Sequence, residues 1–176
     1  YGDILCEGAQ GFWLDINYGN YPYVTSANTL PYSACSLGFS PKKIRDIWGA
    51  AKIYDTRVGV DPQFLTQHPP SAADAQILLE IADIGEEFGS TTNRKRGVNW
   101  LNLDKLIQAI NVSGTNNLVI SKVDIIKKVN HFKLIYKNKT VEYNTYEEMN
   151  RAISSIITSS CPDLTNIYYS DSPESF

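Results

Sequence analysis

Amphipathic helical patterns that alternate with short apolar runs constrain this chain more than any other feature. Ser71 reads as an N-cap for a helix through Ile84, with Ile77, Leu78, Ile81, Ala82 and Ile84 on one face and Gly85 as the stop. Asn102 caps a second helix, Leu103 to Asn111, which buries Leu103, Leu106, Ile107 and Ile110 and ends at Ser113-Gly114. Asn117–Ser121 (NLVIS) then reads as a short buried strand. Phe132–Tyr136 and Thr140–Tyr143 read as a hairpin with Lys137-Asn138-Lys139 at its turn. Thr145 caps a last helix to about Ser159, with Met149, Ile153, Ile156 and Ile157 inward, and Ile167–Tyr169 is a terminal strand. Helices in alternation with short apolar strands predict an α/β fold, a layered and largely parallel sheet with flanking helices.

The first third of the chain is of another kind. Asp3 to Cys6 is a short apolar run expected to form a buried strand, and Glu7-Gly8-Ala9-Gln10-Gly11 follows it. Such a strand end would deliver Gln10 between residues that allow close approach to the backbone, at the edge where α/β proteins bind ligands. The alternative is a plain tight turn with Gln10 in solvent. Ser40-Pro41 suits a turn into Ile47–Tyr54, which is apolar and β-prone enough for a central strand. Asp55-Thr56-Arg57-Val58-Gly59 would then stand at its carboxyl end. Residues 60–71, with Pro62, Pro69 and Pro70, are expected to be loop, and so are residues 88–98.

With 176 residues, 43% of them hydrophobic and 11% aromatic, the chain can bury a core and is not disordered overall. A net charge of -3 without a basic run offers no footprint for nucleic acid. No apolar run approaches the length of a membrane span. Cys6, Cys35 and Cys161 form neither a disulfide frame nor a zinc pattern, which fits reduced thiols and a cytoplasmic setting. Trp13, Trp48 and Trp100 are expected to anchor core or loops, and His68 and His131 receive no role.

The stretch EGAQGFWLDINYGNYPYVTSANT, residues 7–29, closely resembles a signature segment of adenylosuccinate synthetases. DTRVG (Asp55 to Gly59) resembles that family's TTRVG, EFGSTTNRKR (Glu87 to Arg96) its EFGTTTGRxRR, and SKVD (Ser121 to Asp124) its TKLD, in the same order. TLPYSACSLGF and KIYDTRVGVDPQF are more similar to the phage branch, which makes 2-amino-2'-deoxyadenylosuccinate from dGMP. The resemblance implies a C–N ligase of purine biosynthesis. A nucleoside triphosphate phosphorylates O6 of a 6-oxopurine nucleotide, dGMP or IMP, and L-aspartate displaces the phosphate. It also implies that residues 1–176 are the C-terminal portion of one domain, without the phosphate-loop half. On that reading the Mg²⁺ ligands lie outside the chain, the isolated chain is inactive, and the full-length protein is a homodimer. The alternatives are an ordinary GTP-dependent adenylosuccinate synthetase fragment and a non-catalytic nucleotide-binding remnant.

The resemblance also implies site residues. Gln10 would lie at the purine 6-position and act on the charge that moves onto O6. Thr25 would hold the 5'-phosphate through backbone and hydroxyl donors, and Val58 would pack near the ribose; spacing alone fits Thr25 to a side-chain turn. Ser90, Thr91, Thr92, Arg94 and Arg96 would receive aspartate, with Arg94 also reaching the purine nucleotide and Arg96 the donor; spacing alone would leave them a solvated basic loop. Asn93 replaces a family glycine, and Asn is the next best residue if a positive φ is needed there. Lys122 and Asp124 would read the donor's guanine, where the residues alone also allow a strand-end ion pair. Ser170 and Ser172 fall where the family has an STGPDR-like donor wall. There Ser172 replaces Gly and Ser175 replaces Arg, so ATP is expected to serve as donor.

Overall fold

The computed structural model describes residues 2–62, 64, 69–89, 93–172 and 174. The chain divides into two compact units, one up to Ile47 and one from Trp48 onward.

In the second unit the α/β expectation holds. The strands are β1 (Trp48–Lys52), β2 (Tyr54–Arg57), β3 (Gly97–Asn102), β4 (Asn117–Ser121), β5 (Phe132–Tyr136), β6 (Lys139–Tyr143) and β7 (Asn166–Tyr169). The helices are α1 (Ala72–Ile84), α2 (Leu103–Ser113), α3 (Val123–Val129) and α4 (Tyr146–Ser160). Strands β1, β4 and β7 form a 3-stranded sheet in that spatial order. It is parallel throughout, with Trp48 opposite Asn117 and Asn117 opposite Asn166. A 4-stranded sheet has the order β2-β3-β5-β6. There β3 and β5 run parallel, and β2 and β6 are antiparallel edges.

The helix starts are local chemistry. Ser71 Oγ accepts from the Asp74 amide at 3.1 Å, Asn102 Oδ1 from Lys105 at 3.1 Å, and Thr145 Oγ1 from Glu148 at 3.2 Å. Each satisfies an amide that the first turn leaves without a partner. The hairpin is where it was expected, but its turn is shorter: Lys137 and Asn138 both take positive φ, 50° and 58°, the two-residue turn whose twist suits the flanking strands, and Lys139 already pairs with Tyr136. Ile81, Leu103, Ile120, Leu134, Met149, Ile153 and Ile157 are at most 1% exposed and form the core between sheets and helices. Trp100 is buried with them, whereas Trp48 is 50% exposed and stacks on Tyr168, ring centroids 5.5 Å apart.

Several expectations are corrected. The apolar run Ile47–Tyr54 is two strands, because the chain leaves one sheet after Lys52 and enters the other at Tyr54. Ile53 is the buried joint, its amide donating to the Ser121 carbonyl at 3.0 Å. The loop expected over 88–98 yields to strand β3 from Gly97, since β2 and β5 flank it and bury its side chains. Within the expected loop 60–71, Pro62 and Phe64 have helical backbone; proline is tolerated in a first helical turn. Helix α3 has no counterpart in the sequence reading.

In the unit up to Ile47, Asp3 to Cys6 is not a strand. An extended segment is stabilised by a paired ladder; among the described residues no strand lies against it, and Ile4 and Leu5 are 67% and 91% exposed. Regular structure in this unit is limited among the described residues to 3-10 turns at Phe12–Leu14, Pro31–Leu37 and Pro41–Lys43. Among the described residues its buried side chains are Asp15 and Leu30, so hydrogen bonds order it more than a core does.

Candidate nucleotide and aspartate site

All strands of the 3-stranded sheet point the same way, so the ends of β1, β4 and β7 bring Lys52, Ser121-Lys122 and Ser170 to one edge. Carboxyl edges of parallel sheets are where loops converge on ligands. Ser170 is stitched into that edge. Its amide donates to the Ile120 carbonyl at 2.9 Å, its carbonyl accepts from Val123 at 3.2 Å, and its hydroxyl donates to the Ser172 carbonyl at 2.8 Å. Ser172 Oγ in turn accepts from the Glu174 amide at 3.3 Å. Lys122, Asp124, Ser170 and Ser172, four of the residues expected at the donor, thus follow the adjacent carboxyl ends of β4 and β7. Lys122 and Asp124 do not form the ion pair that spacing allowed. Lys122 takes a left-handed φ of 66° and sends Nζ to the Gly85 carbonyl at 3.1 Å. Asp124 pairs instead with Lys128 one turn along α3, at 3.4 Å.

Beside this edge lies a polar cluster that the sequence reading missed. Glu87 is 1% exposed. Its carboxylate accepts from Lys52 Nζ at 2.6 and 2.8 Å, from the Tyr54 hydroxyl at 2.8 Å and from Arg96 Nη1 at 3.0 Å. Lys52 also reaches Thr56 Oγ1 at 3.3 Å. Burial pushes the Glu87 carboxyl up, but the Lys52 and Tyr54 hydrogen bonds and the cations outweigh it and hold the group below its ordinary range. Burial, with Arg96 and Lys122 nearby, moves Lys52 below its ordinary value in spite of Glu87. Burial and the Glu87 charge push the Tyr54 phenol up, so it stays a donor. One signal was present in the sequence. A lysine inside an apolar strand run must find a buried acceptor or carry its charge out to water.

Glu87 also begins the loop expected to receive aspartate. Its carbonyl accepts the Arg96 amide at 2.9 Å, Phe88 and Lys95 bridge antiparallel, and the Gly89 amide donates to the Arg94 carbonyl at 2.8 Å. Asn93 takes the positive φ, 49°, for which Asn was the next best residue after the family glycine. Arg94 is exposed and Arg96 is half-buried at this base. Ser90, Thr91 and Thr92 lie outside the described residues, as do His68 and Ser175. Val58 is 38% exposed in the turn after β2.

Gln10 and Thr25 belong to the other unit. Gln10 is exposed with a left-handed φ of 71°, a conformation costly for a side chain with a Cβ. The Thr25 amide donates to the Leu14 carbonyl at 2.8 Å. Asp15 organises this loop. Its carboxylate accepts the amides of Asn17 at 2.8 Å, Tyr18 at 3.2 Å and Thr29 at 2.6 Å, so both ends of the loop meet on one side chain. Gly19 passes where a Cβ would lie 2.5 Å from the Asp15 carbonyl and 2.7 Å from that of Trp13; only glycine fits there. Among the described residues, no group of His, Cys, Asp and Glu comes together to hold a metal ion, and no helix is long and apolar enough to cross a membrane.

The model of the family described as adenylosuccinate synthetase matches residues 2–164. The chain belongs to that family. It is 38% identical over 148 residues to the adenylosuccinate synthetase of Flavobacterium johnsoniae, covering 81% of this chain and 34% of the relative. To that of Bacteroides fragilis it is 42% identical over 149 residues, covering 82% of this chain and 34% of the relative. This member of the family therefore spans about 34% of the length of those relatives. Among solved structures it is similar to the fully ligated adenylosuccinate synthetase of Plasmodium falciparum, with a TM-score of 0.70, 25% identity, and 92% of this chain and 46% of that one covered. The succinoaminodeoxyadenylate synthetase of cyanophage S-2L, bound to dGMP and to dATP as an energy donor, shares the fold at a TM-score of 0.58 and 17% identity, with 94% of this chain and 43% of that one covered.

Proposed function

We propose that this chain contributes substrate-binding residues to an NTP-dependent ligase that joins L-aspartate to a 6-oxopurine nucleoside monophosphate, with IMP as acceptor. The observation that carries this reading is the family match over residues 2–164. On it, the donor's γ-phosphoryl group passes to O6 and the aspartate amine attacks C6. The C6–O6 bond then breaks with inorganic phosphate as leaving group, and the amine loses a proton. Gln10 is assigned to O6, where a neutral amide donor strengthens its hydrogen bond as charge develops. The Thr25 hydroxyl is assigned to the 5'-phosphate and Val58 to the ribose. Ser90, Thr91, Thr92, Arg94 and Arg96 are assigned to aspartate, for which the planar guanidinium suits a carboxylate, and Arg94 also to the purine nucleotide. Arg96, Lys122, Asp124, Ser170 and Ser172 are assigned to the donor. Mg²⁺ would neutralise the donor phosphates; the described residues do not fit a cage for it.

A second reading takes dGMP as acceptor and ATP as donor. It is supported by the segments TLPYSACSLGF and KIYDTRVGVDPQF and by Ser172 standing where the family pattern has Gly. The test for both is a panel of IMP and dGMP against GTP and ATP, with L-aspartate, on the protein at its natural length. Aspartate-dependent phosphate release with IMP is expected. Release with dGMP and ATP alone would establish the second reading, and no release from any pair would overturn the ligase assignment.

A further inference from the structure

The Glu87 cluster carries more positive charge than one carboxylate can neutralise. Lys52 and Tyr54 already donate to both of its oxygens, with Nζ at 2.6 and 2.8 Å and the phenol at 2.8 Å. That is enough to satisfy a buried carboxylate, yet Arg96 adds a second cation through Nη1 at 3.0 Å, and Lys122 is close enough to depress Lys52. The Glu87 side chain is 2% exposed, whereas those of Lys52 and Arg96 are 23% and 27% exposed. The anion is thus sealed inside and the cations stand at the rim. Arg96 is not spent by the contact. Its Nε is buried without a hydrogen-bond partner among the described residues, yet the side chain as a whole is 27% exposed, and a guanidinium held by Glu87 through Nη1 with part of its fork at the surface is poised to accept an anion there. Glu87 also fixes the Arg96 backbone, since its carbonyl accepts the Arg96 amide at 2.9 Å.

We propose that Glu87 is a positioning residue for Arg96: its buried carboxylate locks the guanidinium in one orientation, so that its exposed part meets an anionic group of a ligand. That group is a carboxylate or a phosphate. A buried carboxylate held by Lys52, Tyr54 and Arg96 is rigid, and rigidity of this kind removes the cost of ordering a long side chain when the ligand arrives. Lys52 and Tyr54 serve the same end by holding Glu87 ionised and immobile. The inference rests on the ligase reading for the identity of the ligand.

The test is a double-mutant cycle on the protein at its natural length, with titration calorimetry in one arm for L-aspartate and in the other for a nucleoside triphosphate. Glu87→Gln is expected to weaken binding in one arm by roughly 10-fold or more, because a misplaced recognition group loses affinity steeply. In an Arg96→Ala background the same change is expected to move that Kd by less than about twofold, since sites that act as one unit do not add. The arm that responds tells carboxylate from phosphate. Both arms unchanged in Glu87→Gln would overturn the proposal, as would equal weakening in the two backgrounds, which would mean that Glu87 does not act through Arg96. If Glu87→Gln does not fold, Glu87→Asp keeps the charge and withdraws it by a methylene, with a loss of roughly threefold expected and no loss overturning the idea. A wild type that binds neither ligand would fail the ligase reading and this inference with it, whereas binding without sensitivity to Glu87 fails the inference alone.

Discussion

Asp55 shows how a single side chain can work against the fold. Burial pushes its carboxyl up to about 7 although Oδ2 accepts the Asn102 amide and Lys105 attracts it. In the unfolded chain an aspartate titrates near 3.9. Between that value and about 7 the folded protein keeps a proton that the unfolded chain has lost, so this group lowers stability as pH rises through the window. Asp55→Asn retains an acceptor for Asn102 and removes the charge. It should raise stability at about pH 8 by on the order of 1–3 kcal/mol and change little at about pH 4, as thermal melts at the two pH values would record. No propensity or spacing in DTRVG marks this penalty; it arises because β3 lies beside β2. Lys52, by contrast, was anomalous in its own strand, although its partner Glu87 could not be named from the chain.

Among the elements, the loop from Asp15 to Thr29 depends on a charge. Burial pushes the Asp15 carboxyl up, but the backbone donors Thr29, Asn17 and Tyr18 outweigh this and hold it below its ordinary range. Its stabilisation is therefore present above the unfolded value near 3.9 and is lost as pH falls below it. Asp15→Asn should cost about 1–3 kcal/mol at neutral pH, since hydrogen bonds to a charged acceptor become neutral ones, and the cost should shrink in acid. Hydrogen exchange at the Asn17 and Thr29 amides is the direct measurement, and protection equal to wild type at neutral pH would contradict it. The caps at Ser71, Asn102 and Thr145 were readable beforehand because a cap bonds an amide three residues on. Strand β3 was not readable: Gly97, Asn99 and Asn102 weaken its β signal, and only its pairing with β2 and β5 makes it a strand.

On the scale of the molecule, the unit from Trp48 onward carries the apolar core, and its stability should respond to truncation there. Ile120, fully buried in the central strand of the 3-stranded sheet, should cost about 2–5 kcal/mol when replaced by Ala. Leu5, 91% exposed, should change stability by less than about 0.5 kcal/mol when replaced by Ser. Denaturant titration of both variants separates the two expectations, and similar losses would show that the opening segment is packed after all.

The chain by itself determined its class, its helix caps, strand β4, the hairpin and, through motif resemblance, its family. Each depends on neighbours a few residues apart or on a run long enough to be unmistakable. Tertiary structure alone decided that Ile47–Tyr54 divides between two sheets and that Asp3 to Cys6 joins no sheet among the described residues. It also decided that Lys122 turns to Gly85 rather than Asp124, and that Glu87 gathers Lys52, Tyr54 and Arg96. Those outcomes depend on which strands lie side by side and which charges burial forces together, and a linear pattern does not encode the distance between Lys52 and Glu87.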